Sequence, residues 1–198
     1  MAFRLANLDG RAVLIDGDDW HDLAAASAGV FSGDPMEAVR RHAELHEIDL
    51  DGRAPDGLVA DAAFGAPVPA PRSVFAVGLN YADHANEADM DLPENPLVFT
   101  KWPSCLVGPT ADVVLAAGAA DYEAELVVVI GAGGRDIDAA DAWNHVMGLT
   151  VGQDISDRAL QFAAKPPHFD LGKSRDTYGP FGPAIVSTDL VADPADLA

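Results

Sequence analysis

The stretch YEAELVVVIG (residues 122–131) places two carboxylates at the start of the most apolar run of the chain. Side chains of a β-strand alternate between the two faces of a sheet, so Glu123 and Glu125 project on the same side. Two such carboxylates repel each other and resist burial, and a divalent cation between them removes both penalties. Exposure of both on an edge strand is the alternative that the pattern leaves open. The apolar run that follows favours a strand entering the interior.

Composition limits the class of protein. The chain has 198 residues, of which 49% are hydrophobic and 22% are charged, which is typical of a globular domain. Its formal net charge of -20 disfavours nucleic acid and anionic membrane surfaces as partners. No run of about 18 apolar residues predicts a membrane-spanning helix, and no signal-peptide pattern opens the chain. Cys105 stands alone, which excludes an internal disulfide. We expect a cytoplasmic protein.

The first 70 residues predict a small α/β N-terminal domain. Asp9 and Gly10 form a favoured hairpin turn between two apolar runs. A helix is predicted over residues 34–52, with Asp34 as N-cap, Pro35 at the first helical position and Glu37 at the capping-box spacing. The Pro-rich segment 65–73 resembles a linker, so a catalytic domain is predicted over residues 71–198.

The second part of the chain predicts a β-rich α+β domain. Besides 122–131, strands are predicted at 74–81, 96–102, 111–116, 148–154 and 184–187. Asp138 is predicted to cap a helix that reaches Val146, and residues 155–164 to form a helical turn. The segment 165–183 is rich in Gly and Pro and is predicted to be mostly loop.

Further polar residues are candidates for chemistry. Asp154 ends a strand, where it is either a third metal ligand or a helix cap. His84 and Glu87 have the i,i+3 spacing at which Glu87 could orient the imidazole for accepting a proton from water. Lys173 lies in a Gly-Lys-Ser loop and could stabilise negative charge on a substrate. Each residue is also explained as an ordinary surface charge, and spacing alone does not decide between the two readings.

Five segments, in order, resemble those of the fumarylacetoacetate hydrolase family. They are GLNYADHANE (78–87), PLVFTKWPSCLVGP (96–109), DYEAELVVVIG (121–131), GQDISDRALQ (152–161) and LGKSRDTYGPFGP (171–183). The resemblance covers about residues 72–198 and implies a rolled mixed β-sheet. Because the later strands and the Gly-Thr-Pro loop of the family have no counterpart in this sequence, we expect the sheet to be incomplete at its C-terminal end.

The resemblance also implies roles for individual residues. By it, Mg²⁺ or Mn²⁺, with Ca²⁺ as an alternative, would be bound by Glu123, Glu125 and Asp154. A water-activating pair would be formed by His84 and Glu87, and Lys173 would stabilise an enolate. Contacts to substrate would come from Arg158, Gln161 and Arg175. The sequence departs from the family at Ala159, where an acid is usual, and at Arg175, where an apolar or aromatic residue is expected.

The function implied is divalent-metal-dependent hydrolysis of a carbon–carbon bond in a β-diketo acid of the fumarylacetoacetate or acylpyruvate type. One alternative keeps the site and changes the reaction to isomerisation or decarboxylation of a dicarboxylic keto acid of aromatic catabolism. Another is a truncated, inactive chain that only binds metal. A small keto acid is the expected ligand, and the resemblance implies a homodimer. The net charge of -20 disfavours nucleic acid and membrane partners.

Overall fold

The computed structural model describes residues 2–82, 93–116, 119–194 and 197. Within these ranges the fold is α+β and rich in strands, as the sequence predicted. The strands are β1 (Arg4–Leu8), β2 (Arg11–Asp16), β3 (Asp19–Asp22), β4 (Gly57–Leu58), β5 (Phe64–Gly65), β6 (Val74–Gly78), β7 (Leu97–Lys101), β8 (Leu106–Val107), β9 (Ala120–Asp121), β10 (Ala124–Ile130), β11 (Val146–Gln153), β12 (Ser156–Asp157) and β13 (Gly179–Ser187). The α-helices are α1 (Leu23–Ala26), α2 (Pro35–Arg40), α3 (His42–Leu45), α4 (Arg158–Gln161) and α5 (Phe169–Lys173). Segments of 3₁₀-helix cover Val59–Asp61, Pro103–Cys105, Ala139–His145 and Thr188–Leu190.

A large sheet runs through the molecule. In the described ranges it has nine strands in the order β10-β11-β13-β1-β2-β3-β4, with β5 on β1 and β8 on β13. The β8–β13 pair is parallel and the other pairs are antiparallel, so the sheet is mixed. Two small ladders, β9–β12 and β6–β7, lie outside it. They position side chains of the candidate site, as described below.

The N-terminal segment shares its sheet and its core with the later strands. Strand β1 pairs with β13, placing Leu5 opposite Ile185. Both residues belong to one buried apolar cluster that also includes Val129 and Met147 of the later strands. Full burial of a Leu or Ile side chain contributes about 1.5–3 kcal/mol, so this cluster firmly joins the two parts. The domain division at residue 70 remains a prediction from the sequence.

Local predictions in the N-terminal segment are confirmed in part. Asp9 and Gly10 both adopt positive φ in the β1–β2 hairpin, and Asp34 caps α2 through the Met36 amide at 2.9 Å. The long helix over residues 34–52 is wrong, because Arg41 leaves helical geometry and separates α2 from α3. Glu37 also departs from a capping box, since its carboxylate accepts from Ser32.

Three predictions in the second part are corrected. Residues 111–116 form no strand, because the amides of Val114 and Ala116 donate to side chains of Thr177 and Tyr178. The segment after Asp138 is a 3₁₀-helix without a side-chain cap. The last strand begins at Gly179, within the predicted loop, because a register shift in the β11–β13 ladder accommodates Gly182 at φ +126°.

Among the described residues, no helix is both long and apolar enough to cross a bilayer.

Candidate metal centre

Strands β10 and β11 bring three carboxylates together. The two strands pair antiparallel with Ala124 opposite Gln153, so the start of β10 faces the end of β11. The Asp154 amide, just after β11, donates to the Glu123 carbonyl at 2.9 Å. As a result, one carboxylate oxygen from each of Glu123, Glu125 and Asp154 lies within 4.8 Å of the others. The structure therefore groups the three residues that the sequence predicted as metal ligands.

Lys173, the last residue of α5, lies between two of these carboxylates. Its Nζ donates to Glu123 Oε2 at 2.6 Å, to Asp154 Oδ2 at 2.8 Å and to Ser156 Oγ at 2.9 Å. A lysine ammonium has three N–H donors, so these three partners use all of them. Lys173 is 3% exposed. It therefore acts on the centre as a buried, fully hydrogen-bonded positive charge.

Lys101 is a second buried lysine at the centre, and sequence reasoning missed it as a site residue. It ends β7, and its Nζ donates to Asp154 Oδ1 at 2.7 Å and to the carbonyls of Lys173 and Tyr178. Asp154 thus receives a lysine on each oxygen. The signal was present in the sequence, since Lys101 is the lysine of the Pro-x-x-Phe-x-Lys segment quoted above.

Arg158, at the start of α4, holds Glu123 from the other side. Its Nη2 donates to Glu123 Oε1 at 2.6 Å and to Asp121 Oδ2 at 2.8 Å, while Nη1 donates to Gln161 Oε1 at 3.0 Å. Arg158 and Gln161 therefore lie beside the carboxylates, and the substrate contacts that the resemblance implied for them remain predictions. Arg175 lies further away in the network, where its Nε donates to Asp157 at 2.9 Å.

The environment of the three carboxylates differs. Burial acts to raise the pKa of Glu123, but Lys173 and Arg158 outweigh it and hold that pKa below its usual value. Among the described residues no hydrogen bond or ion pair is made by Glu125. Burial, together with the Asp154 and Glu123 carboxylates, raises the pKa of Glu125 to about 7. Glu125 is thus the carboxylate whose charge is least compensated.

These observations fit a divalent cation bound by oxygen ligands. Three carboxylates whose oxygens lie close together, one of them making no ion pair within the described ranges, form the ligand set that Mg²⁺, Mn²⁺ and Ca²⁺ prefer. A carboxylate oxygen accepts more than one contact, so the lysine and arginine contacts of Glu123 and Asp154 are compatible with metal binding. A cation near Glu125 would remove the repulsion that raises its pKa.

A cavity of about 730 Å³ opens beside Glu125. Its lining includes Tyr81, Leu126, Gln153 and Phe181. The amide oxygen of Gln153 is buried and has no hydrogen-bond partner among the described residues. The cavity offers room for a small organic acid next to the carboxylates.

Two further predictions from the sequence concern the His84–Glu87 pair and Cys105. His84 and Glu87 lie outside the described residues, so their role stays a prediction. Cys105 is fully buried, and burial raises the pKa of its thiol, which agrees with the expectation of a small apolar residue rather than a nucleophile.

Known proteins similar to this chain include enzymes of several reaction types. Human oxaloacetate tautomerase FAHD2A, a mitochondrial protein by name, is 44% identical over 140 residues, which are 70% of this chain and 45% of that protein. The chain thus spans less than half the length of this curated relative.

Solved structures match nearly the whole chain. A Mycobacterium smegmatis protein provisionally named HpcE is 45% identical with a TM-score of 0.88, covering 98% of this chain and 70% of its own. Maleylpyruvate hydrolase from Sphingobium sp. SYK-6, solved with manganese(II) and pyruvate, is 29% identical with a TM-score of 0.72, covering 97% and 70%.

The sequence profile described as fumarylacetoacetate (FAA) hydrolase C-terminal matches residues 73–198. That range contains every residue of the carboxylate cluster and both of its lysines. The profile match covers well over half of the chain, and the ordered segments and the fold agree with it. This protein is a member of the fumarylacetoacetate hydrolase family.

Proposed function

We propose that the protein is a divalent-metal-dependent enzyme that stabilises the enolate form of a small 2-keto acid. The observation that carries the proposal is the convergence of Glu123, Glu125 and Asp154, with Glu125 at the edge of a cavity and in no ion pair with any described residue. When bound, Mg²⁺ or Mn²⁺ would supply Lewis acidity toward the keto and carboxylate oxygens of the substrate. The described residues would supply ligand geometry and charge balance.

The charge balance of the cluster supports an anionic substrate. Within the described ranges, four carboxylates and three cationic side chains meet there: Asp121, Glu123, Glu125 and Asp154 with Lys101, Lys173 and Arg158. Without metal the cluster carries one excess negative charge, which would repel a carboxylate. A divalent ion reverses the excess to one positive charge, which matches a keto-acid carboxylate. Metal binding would therefore be a condition of substrate binding in a protein of net charge -20.

The two lysines would act through their charge. Because every N–H donor of Lys173 is already used by the protein, it would stabilise developing enolate charge electrostatically rather than by a new hydrogen bond. Lys101 would hold Asp154 in the orientation needed for binding.

The first candidate reaction is keto–enol interconversion or isomerisation of a dicarboxylic keto acid such as oxaloacetate. It is supported by the 44% identity to an oxaloacetate tautomerase over 70% of this chain. Such a reaction needs enolate stabilisation and proton transfer, and it needs no attacking water.

The test follows oxaloacetate enol absorbance with Mn²⁺ in the wild type and in Glu125→Gln. We expect the catalysed rate to fall about 100-fold or more in the variant, because several kcal/mol of charge stabilisation is lost with the metal. Glu47→Gln, an exposed glutamate in the N-terminal segment, is the matched control. Equal rates in Glu125→Gln and the wild type would refute the proposed site.

The second candidate is hydrolytic cleavage of a carbon–carbon bond in a β-diketo acid. It is supported by the likeness to maleylpyruvate hydrolase and by the His84–Glu87 spacing. In this reaction His84, oriented by Glu87, would take a proton from the water that attacks the distal carbonyl. Supplying acetylpyruvate and detecting pyruvate tests it. A protein that converts oxaloacetate but releases no pyruvate from acylpyruvates would exclude it.

Cytoplasmic location and homodimer formation remain predictions as well. Fractionation of the producing cells tests the location. Light scattering of the purified protein tests the oligomeric state, and a monomer at micromolar concentration would contradict the homodimer.

A further inference from the structure

We infer that Arg158 is a positioning residue for Glu123, anchored by Asp121, and that this pair sets the affinity of the centre for a divalent ion. The inference rests on the proposed metal site and concerns how that site is built. It differs from the role implied by the family resemblance, in which Arg158 contacts substrate.

The donors of Arg158 are almost entirely committed to the protein. A guanidinium has five N–H groups. Nε and one hydrogen of Nη2 go to Asp121 Oδ2 at 3.0 and 2.8 Å, and the second hydrogen of Nη2 goes to Glu123 Oε1 at 2.6 Å. Nη1 donates to Gln161 Oε1 at 3.0 Å. One Nη1 hydrogen remains, which is too few for the forked grip that arginine makes on a substrate carboxylate.

The backbone around Arg158 is fixed by hydrogen bonds to the segment that contains Asp121. The β9–β12 ladder places Ser156 opposite Asp121, and the Arg158 amide donates to the Ala119 carbonyl at 2.9 Å. Asp157 then caps α4 through the Leu160 amide at 3.0 Å. The arginine thus starts from a backbone position that is tied directly to β9, which carries Asp121 and ends two residues before Glu123.

Together Arg158 and Lys173 hold both oxygens of Glu123. Arg158 binds Oε1 and Lys173 binds Oε2, each at 2.6 Å. This arrangement restrains the rotation of the carboxylate, one oxygen of which lies within 4.8 Å of oxygens of Glu125 and Asp154. With Arg158 removed, Glu123 Oε1 would lose the Arg158 hydrogen bond, and the carboxylate would be less restrained about its bond to Lys173.

Positioning and simple charge predict opposite effects on metal affinity. A positive group near a cation site repels the cation, so loss of the Arg158 charge by itself would strengthen metal binding. Loss of an outer partner that orients a ligand weakens metal binding by about 10–100-fold. The sign of the change therefore identifies the role.

The experiment measures Mn²⁺ affinity by titration calorimetry and by electron paramagnetic resonance, in the absence of substrate. Arg158→Lys keeps the charge but cannot make the fork, and we expect its Mn²⁺ dissociation constant to rise about tenfold. Asp121→Asn, at a half-exposed position, removes the anchor together with one negative charge and should shift the constant in the same direction. Arg158→Met removes the positive charge together with the fork, and we expect its constant to rise, whereas charge alone would lower it. This variant keeps the test decisive if the first one fails to fold.

Arg11→Lys is the matched control. Arg11 makes the same fork on a single oxygen, with Nε and Nη2 at 2.8 and 2.6 Å from Asp22 Oδ2, but lies in the N-terminal hairpin. The Arg11→Lys variant should bind Mn²⁺ with the same dissociation constant as the wild type.

Three outcomes would overturn the inference or its basis. Unchanged Mn²⁺ affinity in Arg158→Lys and Asp121→Asn, with a raised KM for keto acid, would make Arg158 a substrate contact instead. Tighter Mn²⁺ binding in Arg158→Met would show that only its charge matters. Failure of the wild type to bind Mn²⁺ would sink the proposed metal site itself, before any variant is compared.

Discussion

Lys173 and Glu123 are fifty residues apart in the sequence, and their side chains meet with Nζ 2.6 Å from Oε2. The same ammonium lies 2.8 Å from Asp154 Oδ2. A cation of the protein therefore already occupies one side of the carboxylate cluster, and the side that faces Glu125 and the cavity has none among the described residues. This asymmetry indicates that a metal ion would bind on the side of Glu125. It also predicts how substitutions in the cluster change stability and metal affinity.

Removal of the Lys173 charge should destabilise the metal-free protein. In Lys173→Met the buried Asp154 and the partly buried Glu123 each lose one of two cationic partners, because Lys101 and Arg158 remain. The loss should therefore be smaller than the about 3–5 kcal/mol of a buried charge left with no partner. Thermal unfolding without metal should show a lower Tm, and Mn²⁺ should restore part of the loss. Lys165→Met, at an exposed position, should unfold like the wild type. An unchanged Tm in Lys173→Met would contradict the buried ion-pair network.

Metal affinity should increase with pH through neutrality. The pKa of Glu125 is raised to about 7, and a carboxylate must be ionised to bind metal. A single competing proton with this pKa weakens binding about tenfold between pH 8 and pH 6. Mn²⁺ titrations at the two values measure the change. Glu125→Gln should lose most of this dependence, and a wild-type affinity independent of pH would disprove the role of Glu125.

The Glu125 carboxyl group also makes the metal-free fold less stable as pH rises. Below the usual glutamate pKa of 4.5 both the folded and unfolded states keep the Glu125 proton. Between that value and about 7 the unfolded state releases the proton more readily, so the free energy of unfolding decreases. Urea unfolding at pH 5 and pH 7.5, with and without Mn²⁺, should show a loss at the higher pH that the metal reverses. Glu125→Gln should show a smaller loss.

Close packing of α4 against α5 should make Gly172 sensitive to substitution. A Cβ at Gly172 would lie 2.7 Å from Gln161 Cβ and 2.8 Å from Gln161 Cα, so α5 would have to move. We expect Gly172→Ala to lower stability by about 1–3 kcal/mol and to weaken Mn²⁺ binding by displacing Lys173. Gly133→Ala is the control, because its Cβ would meet no atom within 4 Å. Equal behaviour of the two variants would refute this prediction.

The sequence alone predicted the parts of the centre that depend on local geometry. Strand alternation placed Glu123 and Glu125 on one side, and the ordered family segments added Asp154 and Lys173. The contacts that could not be predicted join distant segments. Lys101 meets Asp154 across 53 positions and Arg158 meets Asp121 across 37, and neither distance follows from spacing in the sequence.

The errors in the predicted fold have the same origin. The capping residues predicted a helix that continues past Arg41, but there the Arg41 guanidinium donates to the Val30 carbonyl and lies over the Phe31 ring. Gly and Pro made residues 179–183 resemble a loop, although the ladder with β11 holds them as a strand. In both cases tertiary contacts overrode a local preference.

The β1–β13 ladder has a consequence for how the chain is made. Arg4 pairs with Val186, so the first hairpin leaves the ribosome long before its neighbour in the sheet exists. Contacts of such high sequence separation slow folding, because a long loop must close before they form. During synthesis the outer edge of β1 therefore stays unpaired, and an unpaired strand edge invites association with other chains. Late closure by β13 makes this protein a candidate for chaperone dependence during its production.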